Sequence, residues 1–394
     1  MANHFSTLAV HGGEEKRKPY GALTTPVIQS STYTFENTAE ILDFMRRKDA
    51  GELPVRDEYG RYSNPTQTTA ERKVALLEGG ERALLFASGM NAITTALLTL
   101  LSSGDHLVMV KGAYRRSEEF AYTFLPRWGV ETTFVPIDDA DALRDAIQPN
   151  TRVILSETPT NPYLRVMDLP RMVAIAREAD VLTIIDSTFA TPINLRPLEH
   201  GLDLVIHSAT KYLGGHNDLL AGAVVGNADL LDQIEHARGV LGGISNPNEA
   251  YLLIRGIKTL ELRVQRQNEN GQRVAEFLQD HPAVRRVYYP GLADHPDHRV
   301  AQRLMTGFGG VVSFEIDGDM EKTGRFIDRL QLPYVGPTLG GVESVVEQMA
   351  ALFSLDPEER RVAGLKDNLV RYALGIENVD DIIADLDQAL SDIG

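Results

Sequence analysis

The sequence contains no cysteine. That excludes disulfides, thiolate-ligated metal centres and a cysteine nucleophile, and it suits a reducing cytosol. No stretch is both long and apolar enough to span a membrane. The longest uncharged run, residues 83–104 (ALLFASGMNAITTALLTLLSSG), is interrupted by Ser88, Gly89, Asn91 and three threonines. It reads as a short buried strand, a turn and a buried helix. Positive charge is scarce: 39 Lys and Arg stand against 55 Asp and Glu, for a net charge of −16. Neither nucleic acid nor an anionic membrane is therefore an expected partner. The opening residues, MANHFSTLAVHGGEEKRKPYG, lack the apolar core of a signal peptide, so the expected compartment is the cytoplasm. No G-x-G-x-x-G stretch lies between a strand and a helix, which argues against a dinucleotide fold. FASGM lacks the first glycine of a G-x-S-x-G elbow. The loop DHPDH, residues 294–298, offers His295 and His298 at a metal-like spacing but reads as a charged loop, and no metal is expected.

What is present points to a globular protein of two domains, since 394 residues exceed one ordinary core. Residues 1–60 look irregular, rich in Thr, Tyr, Gly and charge, and read as an arm that packs on something else. From 61 to 256, short apolar runs alternate with helical segments. The runs are 84–86, 106–110, 132–136, 152–155, 182–186, 204–207 and 221–225. Several are apolar throughout, as strands covered on both faces must be. This alternation predicts an α/β domain with a mainly parallel seven-stranded sheet. The segment DLPRMVAIAREA, residues 168–179, reads as one of the intervening helices, with Asp168 as N-cap and Pro170 in the first turn. From 257 to 394 a long helix, three alternating strands and a closing helix predict a smaller α+β domain.

Ligands of parallel sheets bind beyond the strands' carboxyl ends, and polar residues gather there. Ser88, Gly89 and Met90 follow the first run and open a helix. Asn161 lies beyond the fourth, Asp186 ends the fifth, and Ser208, Thr210 and Lys211 follow the sixth. A helix N-terminus with a Ser-Gly turn suits a phosphate. A buried Asp stabilises a protonated ring nitrogen. A desolvated lysine beside another cation loses its proton and attacks an aldehyde. Taken singly, the Asp is a turn residue and Lys211 a surface lysine. In this order, phosphate, ring nitrogen and aldehyde together describe pyridoxal 5′-phosphate.

The segments HSATKYLGGHND, SETPTNP, IIDSTFATP, YGRYSNP, ASGMNAI and TLGGVES together resemble the Cys/Met-metabolism family of pyridoxal-phosphate enzymes, over about residues 5–392. Within that family, YRRSEEF and DNLVRYALGIE are most similar to the plant-type cystathionine γ-synthases. The resemblance implies fold type I, the aspartate-aminotransferase-like arrangement. It implies γ-replacement on an activated homoserine ester by a thiol, giving cystathionine through a vinylglycine-type intermediate. The alternatives within the family are a cystathionine or methionine γ-lyase, an O-acylhomoserine sulfhydrylase and a specialised γ-substitution enzyme. A binding protein that has lost catalysis is the alternative outside this class. The resemblance makes Lys211 the Schiff-base lysine, Asp186 the partner of the ring nitrogen, and Asn161 a neighbour of the cofactor's phenolic oxygen. Ser88, Gly89, Met90, Ser208 and Thr210 then hold the phosphate, and Tyr114 stacks on the ring and moves protons. Tyr59 and Arg61 reach the phosphate of a neighbouring subunit, which implies a homo-oligomer with shared sites, a tetramer by family precedent. Arg371 clamps the α-carboxylate of an amino-acid substrate, and Glu343, Ser344 and Thr338 line the substrate side. Thr338 stands where serine is frequent. Arg115 and Arg116, two adjacent cations after Tyr114, are candidates for favouring an anionic γ-substituent.

Overall fold

The structure, a computed structural model, describes residues 4–52 and 56–391. The arm holds α1 (Phe5–His11) and α2 (Thr38–Asp49). The large α/β unit follows as α3 (Pro65–Glu78), β1 (Arg82–Phe86), α4 (Gly89–Leu100), β2 (His106–Val110), α5 (Arg115–Glu119), β3 (Glu131–Val135), α6 (Ala140–Asp145), β4 (Thr151–Glu157), α7 (Leu169–Glu178), β5 (Leu182–Asp186), α8 (Thr191–Asn194), β6 (Leu204–Ser208), β7 (Gly222–Gly226), α9 (Ala228–Leu241) and α10 (Pro247–Ile257). The remainder is α11 (Leu260–Asp280), β8 (Val284–Tyr288), α12 (His298–Leu304), β9 (Val311–Ile316), α13 (Met320–Arg329), β10 (Tyr334–Val335), β11 (Val345–Gln348), α14 (Met349–Phe353), α15 (Pro357–Val362), β12 (Leu369–Ala373) and α16 (Val379–Ser391).

The larger sheet has seven strands in the order β1-β7-β6-β5-β4-β2-β3. Only β7 runs against its neighbours; the other six strands are parallel. Alternate residues of these strands enter two separate cores, which is why the runs are apolar without interruption. Leu85, Val108, Ile154, Ile185 and Val205 pack towards α3, α7 and α10. Leu84, Leu107, Ile184, Leu204 and Ile206 pack towards α4 and α9. Each such fully buried side chain contributes about 1.5–3 kcal/mol. The second sheet has five strands, β10-β11-β12-β9-β8, antiparallel except for the β10–β11 pair.

Several helices start where the N-cap residue supplies a side-chain acceptor. Asn64 accepts from the Thr66 and Gln67 amides ahead of Pro65, Asp168 accepts from Arg171, and Asn246 accepts from Asn248 and Glu249 ahead of Pro247. The sequence pattern passes over α12, α13, α14 and α15 in the smaller unit, and differs from the fold elsewhere too. The arm is irregular over most of its length but carries α2, which is capped by Asn37 and buries only Phe44, so no apolar stripe marks it. β8 escapes notice because Arg285 and Arg286 fall inside it. β10 is only two exposed residues long.

Candidate active site

Because six strands are parallel, their carboxyl ends share one edge of the sheet, and the predicted polar residues meet there. The turn after β1 and the end of β6 are in van der Waals contact. A methyl group on Gly89 would lie 2.9 Å from Ser208 Cβ. Gly222, at the start of β7, is the ladder partner of both Phe86 and Ser208. Its α-carbon passes so close to the turn that an added Cβ would sit 2.1 Å from the Ser88 carbonyl oxygen. Ser88 caps α4, its Oγ accepting from the Asn91 amide at 3.1 Å. The first amides of α4 thus face a close, small-residue cradle suited to a phosphate. Thr210 is anchored to the start of β7. Its hydroxyl donates to the Ala221 carbonyl at 3.2 Å and accepts from the Ala221 amide at 3.0 Å. Met90 accepts a weak bond from Ser117 Oγ at 3.7 Å.

Asp186 is buried and held by Thr188, whose amide and hydroxyl donate to Oδ1 at 3.0 and 2.6 Å. The same Thr188 hydroxyl oxygen accepts from the Ser208 amide at 2.8 Å, tying the carboxylate to the cradle. Burial pushes the Asp186 carboxyl above its usual range, against the opposing pull of the Thr188 bonds. Its register partner on β4 is Glu157, a second buried carboxyl. Burial first, and then Asp186, push Glu157 well above the carboxylate range. Glu157 accepts from the Tyr114 amide at 2.6 Å and so fixes the backbone of that tyrosine. Asp186, oriented by Thr188, offers a buried acceptor to a protonated ring nitrogen. The residues present therefore fit a pyridine cation over Asp186.

Lys211 Nζ donates to Thr338 Oγ1 at 3.1 Å. Burial, and then the nearby Arg371 charge, hold its pKa below that of an ordinary lysine, while Glu347 opposes them. The amine therefore gives up its proton more readily than an ordinary lysine, and an attack on an aldehyde needs the free amine. The loop that carries Thr338 presses directly on the lysine turn: Gly340 has φ +78°, and a Cβ there would lie 2.7 Å from the Tyr212 amide. Arg371, on β12 and only 4% exposed, donates to Asn161 Oδ1 at 3.0 Å, to the Thr338 carbonyl at 3.4 Å and to Glu347. Its Nε is buried without a partner. A donor so placed is a ready contact for a carboxylate.

The other predicted residues separate into two groups. Tyr114 is 44% exposed at the rim of the crevice. Arg115 stacks on the Phe353 ring, 4.3 Å from its centre, and donates to the Phe353 carbonyl at 3.1 Å. Glu343 is exposed and accepts from Asn217 at 3.1 Å. By contrast, Ser344 is fully buried, its hydroxyl bonded to Glu377 at 3.0 Å and to the Gly375 amide at 3.0 Å. Arg116 pairs with Glu119 on its own helix. Arg61 donates to the Gly239 carbonyl and lies over the Tyr59 and Tyr62 rings, on the arm side. In the DHPDH loop, Asp297 pairs with Arg165 at 2.6 Å and His298 Nδ1 contacts the Pro290 carbonyl at 2.8 Å.

Residues that sequence reasoning passed over support the crevice from behind. On α11, Arg263, Gln267 and Asn270 are buried at helical spacing. Arg263 donates to the Tyr212 carbonyl at 2.8 Å, Gln267 to Gly341 at 2.8 Å, and Asn270 to Gly375 at 3.1 Å. One helix face thus fastens the three loops that carry Lys211, Thr338 and the end of β12. A polar i, i+4, i+7 stripe is the signal that could have found them.

The chain is similar to known proteins over nearly its whole length. Residues 6–391 match the family described as Cys/Met metabolism PLP-dependent enzyme. The chain is 48% identical over 392 residues to cystathionine gamma-synthase 1, chloroplastic, of Arabidopsis thaliana, covering 98% of this chain and 69% of that one. It is 40% identical over 390 residues to the cystathionine gamma-lyase of Bacillus subtilis, covering 98% and 99%. The crystal structure of metB from Corynebacterium glutamicum superposes with a TM-score of 0.92 at 35% identity, covering 100% of this chain and 99% of the other.

Proposed function

We propose that this chain, which belongs to the Cys/Met metabolism family of PLP-dependent enzymes, replaces the γ-substituent of an activated homoserine ester with the thiol of cysteine, yielding cystathionine. The observation that carries the reading is the whole-chain likeness to a plant cystathionine gamma-synthase, on a crevice that holds Lys211, Asp186, Arg371 and Tyr114 together. When bound, pyridoxal phosphate supplies an aldehyde that links to amines and a ring that draws electrons from the substrate α-carbon.

The chain's own residues do the rest. The amides of α4, with Gly89, Ser208 and Gly222 packed around them, hold the phosphate. Asp186, oriented by Thr188, keeps the ring nitrogen protonated. Lys211 would hold the cofactor's aldehyde covalently, and its freed Nζ would remove and return protons at the substrate's α- and β-carbons. Tyr114, its backbone fixed by Glu157, covers the ring and assists these transfers. Arg371 takes the α-carboxylate. Arg115, at the rim beside Tyr114, meets an anionic γ-substituent, whereas Arg116 is engaged by Glu119. Tyr59 and Arg61 reach a neighbouring subunit's site, so the working unit is a homo-oligomer built from site-sharing dimers, a tetramer in the complete assembly. The arm of residues 1–60 contributes to that contact, residues 61–256 bind the cofactor, and residues 257–394 close the substrate side. No helix among the described residues is long and apolar enough to cross a membrane, and a cytoplasmic location is proposed.

The test is product analysis with O-phospho-, O-succinyl- and O-acetylhomoserine, each with and without cysteine. Cystathionine formed only with cysteine supports the proposal, and the best ester names the leaving group. Release of 2-oxobutyrate from every ester, without thioether, makes the protein a γ-lyase instead.

A further inference from the structure

The carboxylate clamp already contains a carboxylate. Glu347 and Arg371 face each other as register partners on the antiparallel strands β11 and β12. Both are buried, Glu347 at 6% exposure and Arg371 at 4%, and they share a hydrogen-bonded ion pair. On its other side Arg371 is flanked by Ser313 of β9, whose hydroxyl is bonded to the Pro162 carbonyl at 2.7 Å, next to Asn161. The guanidinium therefore has Glu347, Asn161 Oδ1 and the Thr338 carbonyl as acceptors, and only Nε is buried without one. A buried guanidinium with no counterion is strongly destabilising, so an anion at this position keeps the clamp formed between turnovers. The same anion repels the next one. A substrate carboxylate that docks on Arg371 shares one cation with Glu347 in a space with little water.

We propose that Glu347 is a positioning residue with a second effect: it holds Arg371 in place and weakens the clamp, setting how tightly the enzyme takes the substrate's carboxylate. The assignment rests on Arg371 being that clamp. Glu347 is paired with the arginine and its charge also reaches Lys211, so its effect on the clamp is electrostatic. Loss of the charge with retention of the hydrogen-bond acceptor tightens carboxylate binding. A purely structural role predicts the opposite, because a disturbed arginine binds less well.

The experiment uses the holoenzyme and propionate, a carboxylate without an amine, titrated against the visible absorption of the bound cofactor. Glu347→Gln is expected to lower the propionate Kd about tenfold, the scale of removing one like charge from a partly screened buried site. It is also expected to lower the KM of the homoserine ester, with a smaller change in kcat. Glu347→Asp, which keeps the charge, is expected to stay within about twofold of the wild type in propionate Kd. Should the Gln variant not accumulate as holoenzyme, Glu347→Ser removes the same charge and is expected to move Kd in the same direction. An unchanged or raised Kd in the neutral variants overturns the proposal. Arg371→Met separates its failure from failure of the clamp reading. If that variant binds propionate as tightly as the wild type, Arg371 is not the clamp. If Arg371→Met abolishes binding while the neutral Glu347 variants change nothing, the clamp stands and Glu347 has no part in its strength.

Discussion

Gly222→Ala perturbs the phosphate cradle without touching a ligand. The new methyl would fall 2.1 Å from the Ser88 carbonyl oxygen, 2.6 Å from its carbon and 2.9 Å from the Gly89 amide nitrogen. Ordinary contacts need about 1 Å more, so the Ser88–Gly89 turn must move by about that amount. β7 itself cannot retreat, because Gly222 is paired with Phe86 on one side and Ser208 on the other. Overpacking of this kind costs about 1–3 kcal/mol. Borne by cofactor binding, that is a loss of about five- to 150-fold in affinity. The assay is titration of the cofactor-free protein with pyridoxal phosphate, followed by visible absorption. Pyridoxal, which lacks the phosphate, is the control. The variant is expected to bind pyridoxal phosphate far less tightly while its affinity for pyridoxal changes little. A variant that melts earlier but keeps wild-type affinity for pyridoxal phosphate would refute the assignment of the cradle, as would an equal loss for both compounds.

Removing the Arg371 charge in Arg371→Met takes away one of the causes that lower the Lys211 pKa. The pH above which the free amine captures pyridoxal phosphate should move upward, and the KM of the ester should rise by about a hundredfold with loss of the bidentate carboxylate contact; capture rates across pH 6–10 and steady-state kinetics measure both. Glu14 joins the arm to the body through Lys258 at 2.8 Å and the fully buried Lys73 at 3.3 Å. Although burial opposes it, these lysines hold the Glu14 carboxyl down to about 2 from an ordinary 4.5. Its contribution is thus present above about pH 4.5 and lost as pH falls towards 2, so Glu14→Gln should cost about 3 kcal/mol in urea unfolding at pH 7 and progressively less below pH 4.5. Arg115→Ala should reduce the preference among ester leaving groups, while Arg116→Ala should leave it unchanged within about twofold, since Glu119 already occupies that guanidinium at the surface; relative kcat/KM for the three esters decides.

The large sheet was readable because strands covered on both faces must be apolar throughout, and β2 and β5 begin and end where their runs do. Lys211, Asp186 and the Ser88 turn were readable because a parallel sheet places strand ends on one edge. Glu347 was not, since its role exists only through the register that sets it opposite Arg371. Nor was the sealing of Ser344 by Glu377, a contact between segments 33 residues apart. Gln267 and Asn270 read as solvated helix residues until the loops they bond are folded against α11. Glu157 lay in a quoted motif, yet its bond to the Tyr114 amide depends on how β2 and β4 pair.

The most direct measurement is borohydride reduction of the protein saturated with pyridoxal phosphate, followed by peptide mass mapping, with Lys211→Ala alongside. Expected are a visible absorption band that the variant lacks and one modified peptide bearing the reduced cofactor on Lys211. A band that survives in the variant, label on a different lysine, or no uptake of the cofactor would contradict the assignment of this crevice as the site of chemistry.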